Sequence, residues 1–235
     1  MSKAKTNKRL KHPAEPSGFA LLTPACETHS NLRTYASRLQ RAYNARMTSV
    51  QPSTLTGHFL IAMPNLADPP FSRSVTLLCQ HDENGAVGLL VNQLSEYRFG
   101  DVLAQMQLDC VDSELADAPV LIGGPVQQER GFVLHREPGY WEASYRINTD
   151  WSVTTSRDIL VAMAAGEGPR QAVMALGYAG WDAGQLEQEL MANAWLTTEA
   201  CGRVVFDTPL EERWSAAAGL VGVDPRQLSG YAGHA

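Results

Sequence analysis

MALGYAGWDAGQLEQELMANAWL, residues 174–196, changes period part-way along. Val173 to Tyr178 is an apolar run of strand length, and Gly180 to Gly184 is a glycine turn. From Gln185 to Trp195 the spacing of Leu186 and Leu190, four apart, predicts a helix. Strand, glycine turn and helix together present the free N–H groups of a helix start. On this reading Trp181 faces outward at the turn, where its indole can stack on a ligand, and the amides near Gln185 can hold a negative group. The bland alternative makes Trp195 core and gives Glu187 the task of favouring the helix dipole.

Outward from this stretch, strands come in runs. Phe59–Met63 is a short apolar strand ended by Pro64, and Asn65–Phe71 is a proline-broken loop. Ser74–Gln80 and Ala86–Asn92 read as a hairpin around Asn84-Gly85. Phe99–Leu108 has helical spacing. Val120–Ile122, Gly131–His135 and Glu142–Asn148 are further strands, the last two separated by Glu137-Pro138-Gly139. A helix follows Thr155, with Ile159, Leu160 and Met163 on its apolar face. Val204–Phe206 reads as a last strand, and Thr208-Pro209-Leu210-Glu211 as a capping box opening a helix to about Gly219. Such an order argues for an α+β fold: a single compact domain with an extensive mixed, mostly antiparallel β-sheet and flanking helices.

The chain has 235 residues, 44% of them hydrophobic, enough for one sizeable core. No apolar run reaches the roughly 18 residues of a membrane span. Cysteines 26, 79, 110 and 201 form no C-x-x-C pair, which fits a reduced, cytoplasmic setting. Charge is divided unevenly. Residues 1–50 carry +7 and residues 51–235 carry −13, together the net −6. An acidic body repels phosphates, so direct nucleic-acid binding is left to the basic arm. Residues 1–46 are expected to be a disordered basic extension from an upstream start, with Met47 reading as the natural one, and 47–235 the folded domain. A transit-like peptide is the other reading of that acid-poor stretch.

Several segments resemble the AlgH/YqgE family of bacterial proteins, the UPF0301 group. These are HFLIAMPNLADPPFSRSV (58–75), GAVGLLVNQ (85–93), LIGGPVQQERGFVLH (121–135), TTSRDIL (154–160), GYAGWDAGQLEQELMANAWL (177–196) and the terminal AGHA (232–235). The resemblance spans about residues 57–235. It implies a compact cytosolic protein with an extensive sheet and supplies no mechanism, established activity or cofactor. Some members are called transcriptional regulators, of alginate synthesis in particular. With an acidic body, such regulation is expected to be indirect, through a protein partner or a small ligand.

Two corners are candidate recognition sites. Gly123-Gly124-Pro125 followed by Arg130 offers close backbone approach and a forked guanidinium to an anion. No GK[ST] or G-x-G-x-x-G pattern accompanies it. The structural alternative is a sharp turn between strands. Arg73 and Asn92 flank the hairpin and are expected to converge with this loop, or else simply to end their elements. Cys79 and His81, two apart on a strand, have the spacing of a zinc pair or a Cys–His nucleophile. No second pair joins them, so Cys79 reads as an apolar filler and no metal is expected. Ser72 and Ser74 lie in no G-x-S-x-G elbow. The expectation is a non-catalytic module that takes a partner or a small anionic ligand at Gly123, Gly124, Pro125, Arg130, Trp181, Gln185, Arg73 and Asn92, without a cofactor. The competing class is a hydrolase or transferase using the same pocket.

Overall fold

The computed structural model describes residues 54–64, 66, 71–136 and 141–223. The basic stretch 1–46, Met47, most of the 65–71 loop, Glu137-Pro138-Gly139 and the terminal AGHA lie outside the described residues.

β1 (His58–Ala62), β2 (Val75–Asp82) and β3 (Gly85–Leu90) form an antiparallel meander. β4 (Leu94–Arg98) runs into α1 (Phe99–Gln105), followed by the short α2 (Ser113–Ala116). Then come β5 (Pro119–Ile122), β6 (Val126–His135), β7 (Ser144–Arg146), β8 (Ser152–Thr154) and α3 (Arg157–Ala164). The chain continues through β9 (Ala172–Asp182), α4 (Gln185–Met191), β10 (Trp195–Glu199), α5 (Gly202–Phe206), a 3-10 turn (Leu210–Glu212) and α6 (Arg213–Leu220). Among the described residues the strands make one curled ten-stranded sheet, eight of them in the order β10-β1-β2-β3-β9-β6-β8-β7, with β5 branching from β9 and β4 pairing with β5. All its pairings are antiparallel except that of β5 with β9. The α+β expectation holds.

Strand alternation sorts the apolar residues into three clusters. Phe59, Leu77, Phe132 and Tyr178 fill one face of the sheet, closed by Val204 and Val205 of α5 and Trp214 of α6. Leu60, Leu78 and Leu90 face the other way, under Trp181, Trp195 and α4. Val133 and Met174 face α1 and α3.

β9 is the hub. One edge pairs with β6 between Ala172 and Tyr178, whereas the other is shared by β3, at Ala179–Asp182, and β5, at Ala175–Leu176. Between Ile122 and Val126 the chain therefore passes from one edge of β9 to the other, directly across its backbone. Only glycine permits that approach. A Cβ on Gly123 would lie 2.2 Å from the Gly177 carbonyl oxygen, one on Gly124 2.1 Å from the Tyr178 carbonyl carbon, and one on Gly177 2.5 Å from the Gly124 oxygen. Gly177 also sits at φ 73°, which side chains disfavour. The crossing is tied down by Gly123 N–H donating to Leu176 O (2.7 Å) and Leu90 N–H donating to Gly123 O (2.8 Å).

Four local readings are corrected. Val204–Phe206 is helical, within α5; a three-residue apolar run cannot distinguish the two states. β9 continues to Asp182, so the glycine turn shrinks to Ala183-Gly184. The following helix stops at Met191, the chain reverses at Asn193 (φ 58°), and Trp195 opens a strand instead of ending the helix. Thr208 does not cap α6: its hydroxyl donates back to Arg203 O at 3.0 Å.

Gly177→Ala is expected to cost at least about 2 kcal/mol, since it adds left-handed strain to a clash with backbone. Urea unfolding measures this, and a loss below about 0.5 kcal/mol, the scale of a neutral surface change, would show that the crossing tolerates a side chain.

Candidate functional site

The Trp181 corner is closed. Because β9 runs on through Trp181, the alternation that buries Ala179 buries the indole too, and Trp181 is 2% exposed. Its Nε1–H donates to Glu189 Oε2 (2.9 Å), and Trp195 Nε1–H donates to the same oxygen (2.8 Å). Gln185 Nε2–H donates to Glu189 Oε1 (2.9 Å), while Gln185 Oε1 accepts from the Asp182 amide (3.0 Å). Trp181 and Gln185 do come together, on a carboxylate of α4, and Phe71 packs edge-on against Trp195 with ring centroids 5.7 Å apart. The expected outward indole is not there.

His81 is part of the same corner. The Leu55 amide donates to its Nδ1 (2.9 Å), so the ring proton sits on Nε2, which donates to Glu187 Oε1 at 2.7 Å. A bulge between Leu78 and Gln80 interrupts the alternation of β2, and Cys79 points into the opposite cluster. Burial pushes the Cys79 thiol up to about 12, so it stays protonated and inert. The two side chains share no face.

Gly123 and Gly124 belong to the strand crossing, with the Gly123 amide already engaged on Leu176 O, and Pro125 follows at the exit. Asn92 and Arg73 converge on each other. Asn92 Oδ1 accepts from the Val75 amide (2.8 Å), and its Nδ2–H donates to Arg73 O (2.9 Å), holding Arg73 at φ 52°. The Arg73 guanidinium stacks over Trp214, 5.4 Å from the ring centroid.

Arg130 lies elsewhere, on a bulge. Between the pairs Val126–Tyr178 and Gly131–Leu176, β6 advances five residues while β9 advances two, and Gln127 takes φ 47° to absorb the excess. The bulge borders a cleft of about 480 Å³ between β6, β9, α1 and α3. Val133, Leu160, Met174 and Leu176 supply its apolar floor. Gln128, Glu129, Thr155 and Arg157 are among the polar residues lining it, with Tyr97 and Gln105 on the β4–α1 side. Arg130 Nη2–H reaches Thr155 Oγ1 at 3.5 Å, and its guanidinium lies 5.6 Å from the Phe132 ring centroid. Arg157 Nη2–H donates to Met106 O (3.1 Å), tying α3 to α1. Of the sequence candidates, Arg130 alone adjoins this cleft. The signal that marks it was the polar insertion QQER between two apolar runs, which betrays a bulge.

Asp158 steadies the α3 end of the cleft. Its burial alone would raise the carboxyl. Hydrogen bonds from the Ser156 hydroxyl and the Glu142 and Ile159 amides outweigh that and hold it below its ordinary value.

A family model described as AlgH-like (DUF179) matches residues 59–226, most of the chain. The chain belongs to that family. UPF0301 proteins of Xanthomonas campestris pv. campestris (strain B100) and Xanthomonas axonopodis pv. citri (strain 306) are each 57% identical to it over 187 residues, covering 80% of this chain and 100% of theirs. The solution structure of the AlgH protein from Pseudomonas aeruginosa is similar, with a TM-score of 0.66 and 45% identity over 80% of this chain and 100% of that one. The crystal structure of protein DIP2367 from Corynebacterium diphtheriae shares the fold at 23% identity and a TM-score of 0.59, over 83% of this chain and 98% of that one. In this AlgH-like chain, the tryptophans and Glu189 of the motif first noted in residues 177–196 thus have a structural explanation.

Two measurements follow from this geometry. Glu189→Ala strands two buried indole N–H groups and is expected to cost about 2–4 kcal/mol in urea unfolding, with Glu189→Gln, which keeps an acceptor oxygen, losing clearly less. Equal losses for the two would mean that the acceptor is not what matters. Asp158, depressed in the fold, contributes stability fully above its unfolded pKa. That contribution is lost as pH falls through this value toward the lower folded one. Asp158→Asn should therefore flatten the acid limb of the unfolding midpoint against pH, and coincident acid limbs would remove this carboxylate from the account.

Proposed function

We propose that this AlgH-like protein is a non-catalytic regulatory module of the cytoplasm that holds a small anionic ligand in the cleft between β6, β9, α1 and α3. The cleft itself carries the reading: its volume of about 480 Å³ is that of a small-molecule site, with an apolar floor and a few polar groups at the wall. Arg157 supplies the positive charge, with the Thr155 hydroxyl beside it on the same wall. Occupancy would tie α1, α3 and the β6 bulge together, a change that a protein partner can read from outside. The acidic body favours this indirect mode over direct nucleic-acid contact. The free thiols of Cys79, Cys110 and Cys201 suit a reduced compartment. No helix among the described residues is long and apolar enough to cross a membrane.

A thermal-shift panel of mono- and dicarboxylates and phosphomonoesters tests the reading. At least one class is expected to raise the melting temperature and to move amide resonances of residues 128–131 and 154–157. Arg157→Gln should weaken that binding about tenfold, and Leu160→Trp, which fills the floor, should abolish it. A panel without any such shift would end the ligand reading. A ligand consumed during incubation would instead establish the hydrolase or transferase alternative.

A further inference from the structure

A second, smaller cavity of about 120 Å³ lies under the start of α6, beyond the main cleft, with which it shares Met174 alone. Its wall is formed by Arg213 and ten other residues, every one of them apolar, including Phe99, Leu121, Met163, Val173 and Leu210. Arg213 is 7% exposed. Its Nε–H donates to Thr208 O (3.0 Å) and its Nη1–H to Val91 O. Both acceptors are neutral carbonyls. Among the described residues no carboxylate pairs with it. A buried guanidinium in this position is costly, because desolvation is not offset by an opposite charge. Burial alone draws its pKa down to about 10, so it remains charged at neutral pH.

We infer that this cavity is a binding site for a short-chain aliphatic monocarboxylate, with the carboxylate on Arg213 and the alkyl chain against the apolar wall. The carboxylate supplies the missing counter-charge, and its fork geometry matches the guanidinium edge. The space holds about four water-sized groups, which is the scale of butyrate. A phosphate or a dicarboxylate fits worse, since its further charge would meet only apolar side chains. The wall reaches the surface at the exposed Pro119, which gives the ligand a way in. This site is independent of the one proposed for the main cleft.

Methyl-labelled methionine spectra of the full chain provide the test, with Met163 as reporter. Butyrate is expected to shift the Met163 methyl saturably, whereas n-butanol and n-butylammonium bind at least about tenfold more weakly. Arg213→Met should lose the response. Because Arg213 also holds Val91 and Thr208, Ala172→Leu serves as a second variant, narrowing the cavity while leaving the guanidinium in place, and it too should lose the response. Arg157→Gln, in the larger cleft, should leave the butyrate shift unchanged. Butanol binding as tightly as butyrate, an unaltered shift in Ala172→Leu, or no saturable shift at all would overturn the assignment.

Discussion

Two stretches of backbone can lie in direct contact only where neither carries a Cβ between them, and that constraint governs this fold. The link from β5 to β6 passes over β9 at Gly123-Gly124, with Gly177 beneath. Once the crossing is made, β9 is flanked by β6 on one side and by β3 and β5 on the other. The three apolar clusters then follow from strand alternation. The crossing also delivers the chain into β6 with residues to spare, and the surplus becomes the bulge at the edge of the main cleft. The glycine pair, which reads as an anion loop or as a sharp turn between strands, is the point at which the chain crosses β9.

At the other end of β9, one carboxylate organises a corner. Glu189 accepts both indole N–H groups and Gln185 Oε1 accepts the Asp182 amide, so α4 cannot shift along the sheet without breaking three hydrogen bonds. Buried tryptophans need a partner for their single donor, and here both find it on one residue of the helix that covers them. His81 and Glu187 add a second tie between β2 and the same helix.

The sequence made the architecture legible wherever period and punctuation agreed. The hairpin around Asn84-Gly85, the helix after Thr155 and the α+β class are all found as read. It misled where a local pattern has two solutions. Val204-Val205-Phe206 is too short for periodicity to separate strand from helix, and LSEYR, now β4, alternates too weakly to announce a strand. The placement of the candidate site residues was illegible for a different reason. Glycine, tryptophan and glutamine around a turn describe a ligand platform and a packed corner equally well. What decides between them is whether the strand stops before Trp181 or one residue after it. The residues of both cavities come from elements far apart in number, such as Arg157 with Gln128, or Arg213 with Phe99, and no local motif records their meeting.

The central strand is also a late one. β9 begins at Ala172, after every strand that it joins has already been synthesised. Until residues 172–182 emerge from the ribosome, the β1–β3 meander and the β6–β8 ribbon have no common neighbour, and each carries an unpaired edge. Assembly of the two halves is thus a single non-local event, the kind that sets slow folding rates and leaves nascent chains dependent on chaperones.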